Sequence, residues 1–135
     1  MKALDTNVLA RFFVDDADDP EAARQRPAAV AAMRERAFVP VTVLLEFEWV
    51  LRGFYELPRP EVLGVLTALL GIEHISIEDR GVAAAALEAY AQGLDFADAL
   101  HLARSSKATA FVTFDRRLAK TAARRGLTYK VELLT

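Results

Sequence analysis

Asp5, Glu46, Asp98 and Asp115 are the residues of this 135-residue chain whose types and placing could do chemistry together. Asp5 and Asp115 each follow, directly or within two residues, a short strand-type run: Lys2-Ala3-Leu4 and Ala110-Phe111-Val112-Thr113. Asp98 lies in the first turn of a helix, in Asp95-Phe96-Ala97-Asp98-Ala99-Leu100. Hard divalent cations such as Mg²⁺ and Mn²⁺ prefer oxygen ligands, often a few carboxylates with waters in the remaining positions. One or two such ions can activate water, bind a phosphate oxygen and stabilise the leaving group of an in-line displacement. An acidic metal site is therefore one reading of the set, although spacing alone does not make the four converge. Each acid has a structural alternative: Asp5, Asp95 and Asp115 are good helix N-caps, and Asp98 suits the positive end of a helix dipole.

Glu46 is harder to explain structurally. Three and four positions away on its helix stand Thr42, Val43, Trp49 and Val50, so it is expected on an apolar face without a basic partner. An inward carboxylate is costly unless it meets a metal or a cluster of donors. Glu48 makes the contrast, because Arg52 lies four residues on, the spacing of an ordinary surface ion pair. Glu46 reads as the functional acid and Glu48 as the surface one.

The elements that must position these acids alternate between strand and helix. Lys2-Ala3-Leu4 reads as a strand that turns at Asp5-Thr6-Asn7 into a helix carrying Val8, Leu9, Phe12 and Phe13. Pro20 opens a second helix toward Arg36, which Pro27 should kink or divide. Phe38 to Val41 is a strand, and Thr42 should cap a third helix that stops near Gly53. Glu61 to Leu70 is apolar nearly all round, implying burial on more than one side. Ile75 and Ile77 mark a strand, Glu78 to Tyr90 an alanine-rich helix, and Asp95 caps a helix from Phe96 to Ser106. After the strand Ala110–Thr113 comes a basic helix ending at Gly126, and Tyr129 to Leu134 closes the chain as a strand. This order predicts an α/β sandwich around a mostly parallel sheet, with sites at the carboxyl edges of the strands.

Bulk properties narrow the class. The length suits one domain spanning residues 1–135, and 53% hydrophobic residues with a net charge of −2 exclude a disordered chain. Without cysteine there are no disulfides, zinc fingers or thiol catalysis. No apolar leader precedes Asp5, and the longest uncharged stretch, Val62 to Ile72, is too short to span a bilayer, so a soluble, cytoplasmic protein with no membrane partner is expected. Asp15, Asp16, Asp18, Asp19 and Glu21 crowd one short segment. From Arg104 to Lys130 basic residues outnumber acids, either as a solvated helical face or as a region that attracts phosphate.

Asp5-Thr6-Asn7-Val8-Leu9, Glu46 ahead of Trp49-Val50-Leu51, Asp95 to Ala103, and Thr113-Phe114-Asp115 occur in that order. Together they closely resemble the PIN-domain nucleases, particularly the VapC-type toxins of toxin–antitoxin pairs, over almost the whole chain. The resemblance implies a PIN-like α/β/α sandwich with Mg²⁺ or Mn²⁺ bound by Asp5, Glu46, Asp98 and Asp115. It further implies an endoribonuclease acting on single-stranded or loop RNA, a homodimer, and a small VapB-like antitoxin that blocks the site. Hydrolysis by water predicts 5′-phosphate and 3′-hydroxyl ends. The rivals are a PIN-type RNA-processing nuclease outside a toxin system and an inactive RNA- or protein-binding module.

Thr6, Asn7, Asp95 and Thr113 are candidates to orient carboxylates or a water, and capping or turn formation explains them equally well. Arg116 and Arg117, on the helix that starts at Asp115, are candidates to hold the RNA backbone. His101 is expected to be a packed helix histidine. Trp49, Phe12 and Phe13 recur at helical spacing and are assigned to the core rather than to base stacking.

Overall fold

The computed structural model describes Met1–Thr135. It divides into two compact units, Met1–Arg80 and Gly81–Thr135.

The first unit holds a three-stranded parallel sheet in the order β1-β2-β3, formed by Lys2–Ala3, Ala37–Val39 and Ile75–Ile77. Parallel neighbours need long crossovers, and helices supply them: α1 (Thr6–Phe13) and α2 (Pro20–Met33) lead from β1 to β2, α3 (Val41–Trp49) and α4 (Arg59–Leu70) from β2 to β3. β2 is the central strand, and Ala37 and Val39 are buried on it. Each crossover brings the next element back to the sheet, so the loops after the three strands share one carboxyl edge. There the backbone pairing is extended by Leu4 N–H donating to Phe38 O and Glu78 N–H to Val39 O.

Several helix boundaries differ from the expected ones. Pro27 does not divide α2: the helix runs on through it and ends at Met33. The ring only removes the bond that residue 27 would have given the Ala23 carbonyl, and the flanking alanines are strong helix formers. Thr42 is not the cap of α3. Pro40 holds that place in extended conformation, and the free Val41 amide donates to Glu78 Oε1 at 2.8 Å. α3 passes at Val50 into a π-helical turn, Val50–Phe54. α4 buries one stripe, Val62, Leu66 and Leu69, rather than several sides.

The second unit contains α5 (Arg80–Ala91, whose first residue closes the first unit), α6 (Phe96–Arg104) and α7 (Arg116–Arg124). Its strands β4 (Phe111–Thr113) and β5 (Val131–Leu133) pair in parallel, with Phe111 opposite Val131 and Thr113 opposite Leu133. Tyr90 and Phe96, both fully buried, meet edge to face with ring centroids 5.5 Å apart, which fixes the turn between α5 and α6. Helices joined to parallel strands make this an α/β chain, as the alternating pattern predicts. No helix is long and apolar enough to cross a membrane.

Candidate active site

In the first unit Asp5 leaves β1 and Glu46 lies on α3, which leaves the neighbouring strand β2. Asp5 is the N-cap of α1, its Oδ1 accepting from Thr6 N–H at 2.8 Å. Thr6 is buried, and its hydroxyl donates to Glu46 Oε1. Thr6 therefore joins the two candidate acids: its amide holds one carboxylate and its hydroxyl the other. Both acids are exposed, as is Asn7. The cap and the functional reading do not compete at Asp5, because capping occupies one carboxylate oxygen and leaves the second for a cation.

The expected orientations on α3 are reversed. Glu46 faces outward, whereas Glu48 is 2% exposed and its carboxylate is paired with Arg52, Nε to Oε2 at 2.8 Å. The pairing of Glu48 with Arg52 is as expected, but the pair is rooted in the core rather than on the surface. The reason is composition: α3 is apolar on nearly every side, so apolar neighbours of Glu46 do not identify the inward face. The buried stripe is Leu44, Phe47, Glu48 and Leu51, with Phe47 tilted against Phe13 at 5.9 Å. Trp49, assigned to the core from its spacing, is exposed, and Phe12 and Phe13 are only half-buried. Glu78, at the carboxyl end of β3, adds a carboxylate to the same sheet edge that the sequence did not single out; its signal was only its place directly after a strand.

The second unit brings together Asp95, Asp98, Asp115 and His101. Asp95 caps α6, its Oδ2 accepting from Asp98 N–H at 3.3 Å. Asp115 caps α7, its Oδ1 accepting from Leu118 N–H at 3.0 Å, and its own amide donates to Thr113 Oγ1 at 2.9 Å. Thr113 thus sets the turn that presents Asp115. Partial burial pushes the Asp98 carboxyl above the usual carboxylate range; the negative charges of Asp95 and Asp115 raise it further, and His101 offsets part of this. His101 is not packed inside: it is exposed, its ring stacked on Phe111 with centroids 6.2 Å apart. Arg116 and Arg117, next to Asp115, are exposed, and α7 buries only Leu118 and Ala122.

A carboxylate such as Asp98, its proton affinity raised by burial and by two neighbouring acids, is what a hard cation would relieve. No three histidine, aspartate or glutamate side chains are grouped tightly enough to hold a metal by themselves.

Residues 2–124 match the sequence profile of the PIN domain. The chain belongs to the PIN-domain family. It is also 29% identical, over 124 residues, to a VapC ribonuclease of Aquifex aeolicus (strain VF5), an alignment covering 89% of this chain and 91% of that protein. No solved structure matches it.

Proposed function

We propose that this chain is a Mg²⁺- or Mn²⁺-dependent endoribonuclease, the toxin of a VapBC-type toxin–antitoxin pair, with residues 1–135 acting as one nuclease domain. The observation that carries the reading is the PIN-domain match, which begins ahead of Asp5 and runs past Asp115, with Asp98 set beside Asp95 and Asp115. Asp5, Glu46, Asp98 and Asp115 are the proposed ligands and catalytic acids. Support for grouping them is the order of their motifs along that match, together with the Thr6 link between Asp5 and Glu46. The ion, when bound, would lower the pKa of water and neutralise charge building on the phosphodiester.

The chain's own residues do the rest. Thr6 and Thr113 hold Glu46 and Asp115 in place, as hydrogen-bond partners of ligands do. An ionised carboxylate takes the proton of the attacking water. Arg116 and Arg117, open to solvent at the start of α7, hold phosphates of the RNA. Hydrolysis by water leaves 5′-phosphate and 3′-hydroxyl ends. The name of the Aquifex relative supports RNA as substrate; a VapB-like antitoxin and a homodimer are what the VapC-type reading carries with it.

The test is cleavage of a mixed-sequence RNA by purified protein with Mn²⁺, with EDTA, and with the Asp5→Asn variant. Metal-dependent cutting that the variant lacks is expected. Well-folded wild type that cuts none of several RNAs would instead favour an inactive binding module, and 2′,3′-cyclic phosphate ends would refute attack by water. A short reading frame for an antitoxin-like protein beside the gene separates a toxin from an RNA-processing nuclease.

A further inference from the structure

Trp49 is the single tryptophan of the chain, and 58% of its surface is open. α3 buries the carboxylate of Glu48 and leaves this indole, its largest side chain, outside. For folding alone that is the wrong way round, since an aromatic ring of this size contributes most when buried. Trp49 follows Glu46 by three residues, so the two exposed side chains share one helix face.

The π-helical turn begins directly after it. Such insertions are frequent at functional sites. Here the turn brings Gly53 under the indole, where an added Cβ would stand 3.3 Å from Cε2 and 3.5 Å from Cζ2 and Nε1. The ring therefore rests on bare backbone on one side and is open on the other. A flat, two-faced ligand is what such a half-covered ring accepts. Three residues of helix, a rise of about 4.5 Å, separate it from Glu46, on the order of the spacing of successive nucleotides in a strand.

We propose that the open face of the Trp49 indole is a stacking platform for one base of the single-stranded RNA, next to the phosphodiester that is cut. This rests on the ribonuclease reading. Stacking on an aromatic face tolerates any base, because every base has a π-face. The platform would therefore fix the strand's position rather than read its sequence.

The test uses the Asp5→Asn protein with Mn²⁺, which suppresses cutting, titrated with an end-labelled single-stranded RNA. Tryptophan emission reports on Trp49 alone, and anisotropy reports binding. Saturable quenching is expected, with Trp49→Ala weakening binding by about tenfold and Trp49→Phe retaining most of it. RNA that binds without moving the emission, or that binds Trp49→Ala as tightly, overturns the platform and leaves the nuclease standing. If Trp49→Ala changes the mass in solution and not RNA affinity, the ring is covered by a second copy of the chain and the proposal is wrong. Should wild type neither cut nor bind any RNA, the nuclease reading falls and the platform with it.

Discussion

The two units hold their acids by different means. In Met1–Arg80, Asp5 and Glu46 are both tied to the buried Thr6, so their positions depend on hydrogen bonds made inside the fold. In Gly81–Thr135, Asp98 is placed by its helix turn and is stressed by burial and by its neighbours Asp95 and Asp115. One set is governed by geometry, the other by charge. Substitutions that preserve shape should therefore be tolerated differently in the two units.

The largest effect should come from removing one charge in each set. Asp5→Asn and Asp98→Asn are each expected to lower RNA cutting by about 10²–10³-fold, the scale for losing one preorganised electrostatic group. Asn is as good an N-cap as Asp, so α1 should still start at Thr6 and thermal stability should barely change in Asp5→Asn. Activity lost at constant stability would separate the catalytic reading from the capping one. An Asp5→Asn protein that cuts RNA normally would remove Asp5 from the chemistry.

Next comes the buried acid that the chemistry does not use. Arg52→Ala removes the guanidinium that pairs with the buried Glu48 carboxylate, at a cost of about 2–3 kcal/mol in urea unfolding. That is below the cost of breaking a fully buried pair, because 43% of the Arg52 side chain reaches solvent. Cutting per folded molecule should be unchanged. If cutting fell more than the folded fraction, Glu48 rather than Glu46 would be the functional acid, and the contrast between geometry and charge would have to be redrawn around it.

This inversion on α3 shows where the sequence was legible and where it was not. The caps at Asp5, Asp95 and Asp115 could be read because a cap answers to amides within three residues, and the parallel strands because their apolar runs are short and bounded. The inward face of α3 could not be read: a helical period ranks faces only when one is polar, and here Val43, Leu45, Trp49 and Val50 surround Glu46 with apolar neighbours that are not core. The partner of the Val41 amide, Glu78, is 37 residues away in sequence, and nothing local announced it. The proposed acids were singled out by their places beside strand and helix ends and by motif order, and motif order does not depend on which way a side chain points.

A smaller effect should follow from loosening the first set without removing an acid. Thr6→Val keeps the shape and deletes the hydroxyl that donates to Glu46, whereas Thr6→Ser keeps the donor. Cutting should fall by about tenfold in Thr6→Val, the usual scale for a partner that orients a ligand, and recover in Thr6→Ser. Equal activity in both variants would mean that Glu46 needs no positioning, and the geometric half of the comparison would fail.

The smallest effect is the most diagnostic of charge. A folded-state pKa raised above the ordinary 3.8 means that the folded chain keeps a proton on Asp98 which the unfolded chain has already lost. The associated stability is fully present below about 3.8 and is lost as pH rises through the raised value. At neutral pH and without metal, Asp98→Asn should therefore be more stable than wild type, by less than about 1 kcal/mol once solvent screening is allowed for. That advantage should shrink on acidification through the raised pKa. Asp95→Asn, which keeps the cap and removes one repulsive charge, should lower the Asp98 pKa and show part of the same gain. Mn²⁺ should reverse the order, since it stabilises wild type by binding the folded state and has less to bind in Asp98→Asn. Thermal melts at two pH values, with and without Mn²⁺, read all of these changes. A wild type that is already the more stable protein without metal would show that the charges around Asp98 are satisfied within the fold, leaving a cation nothing to relieve.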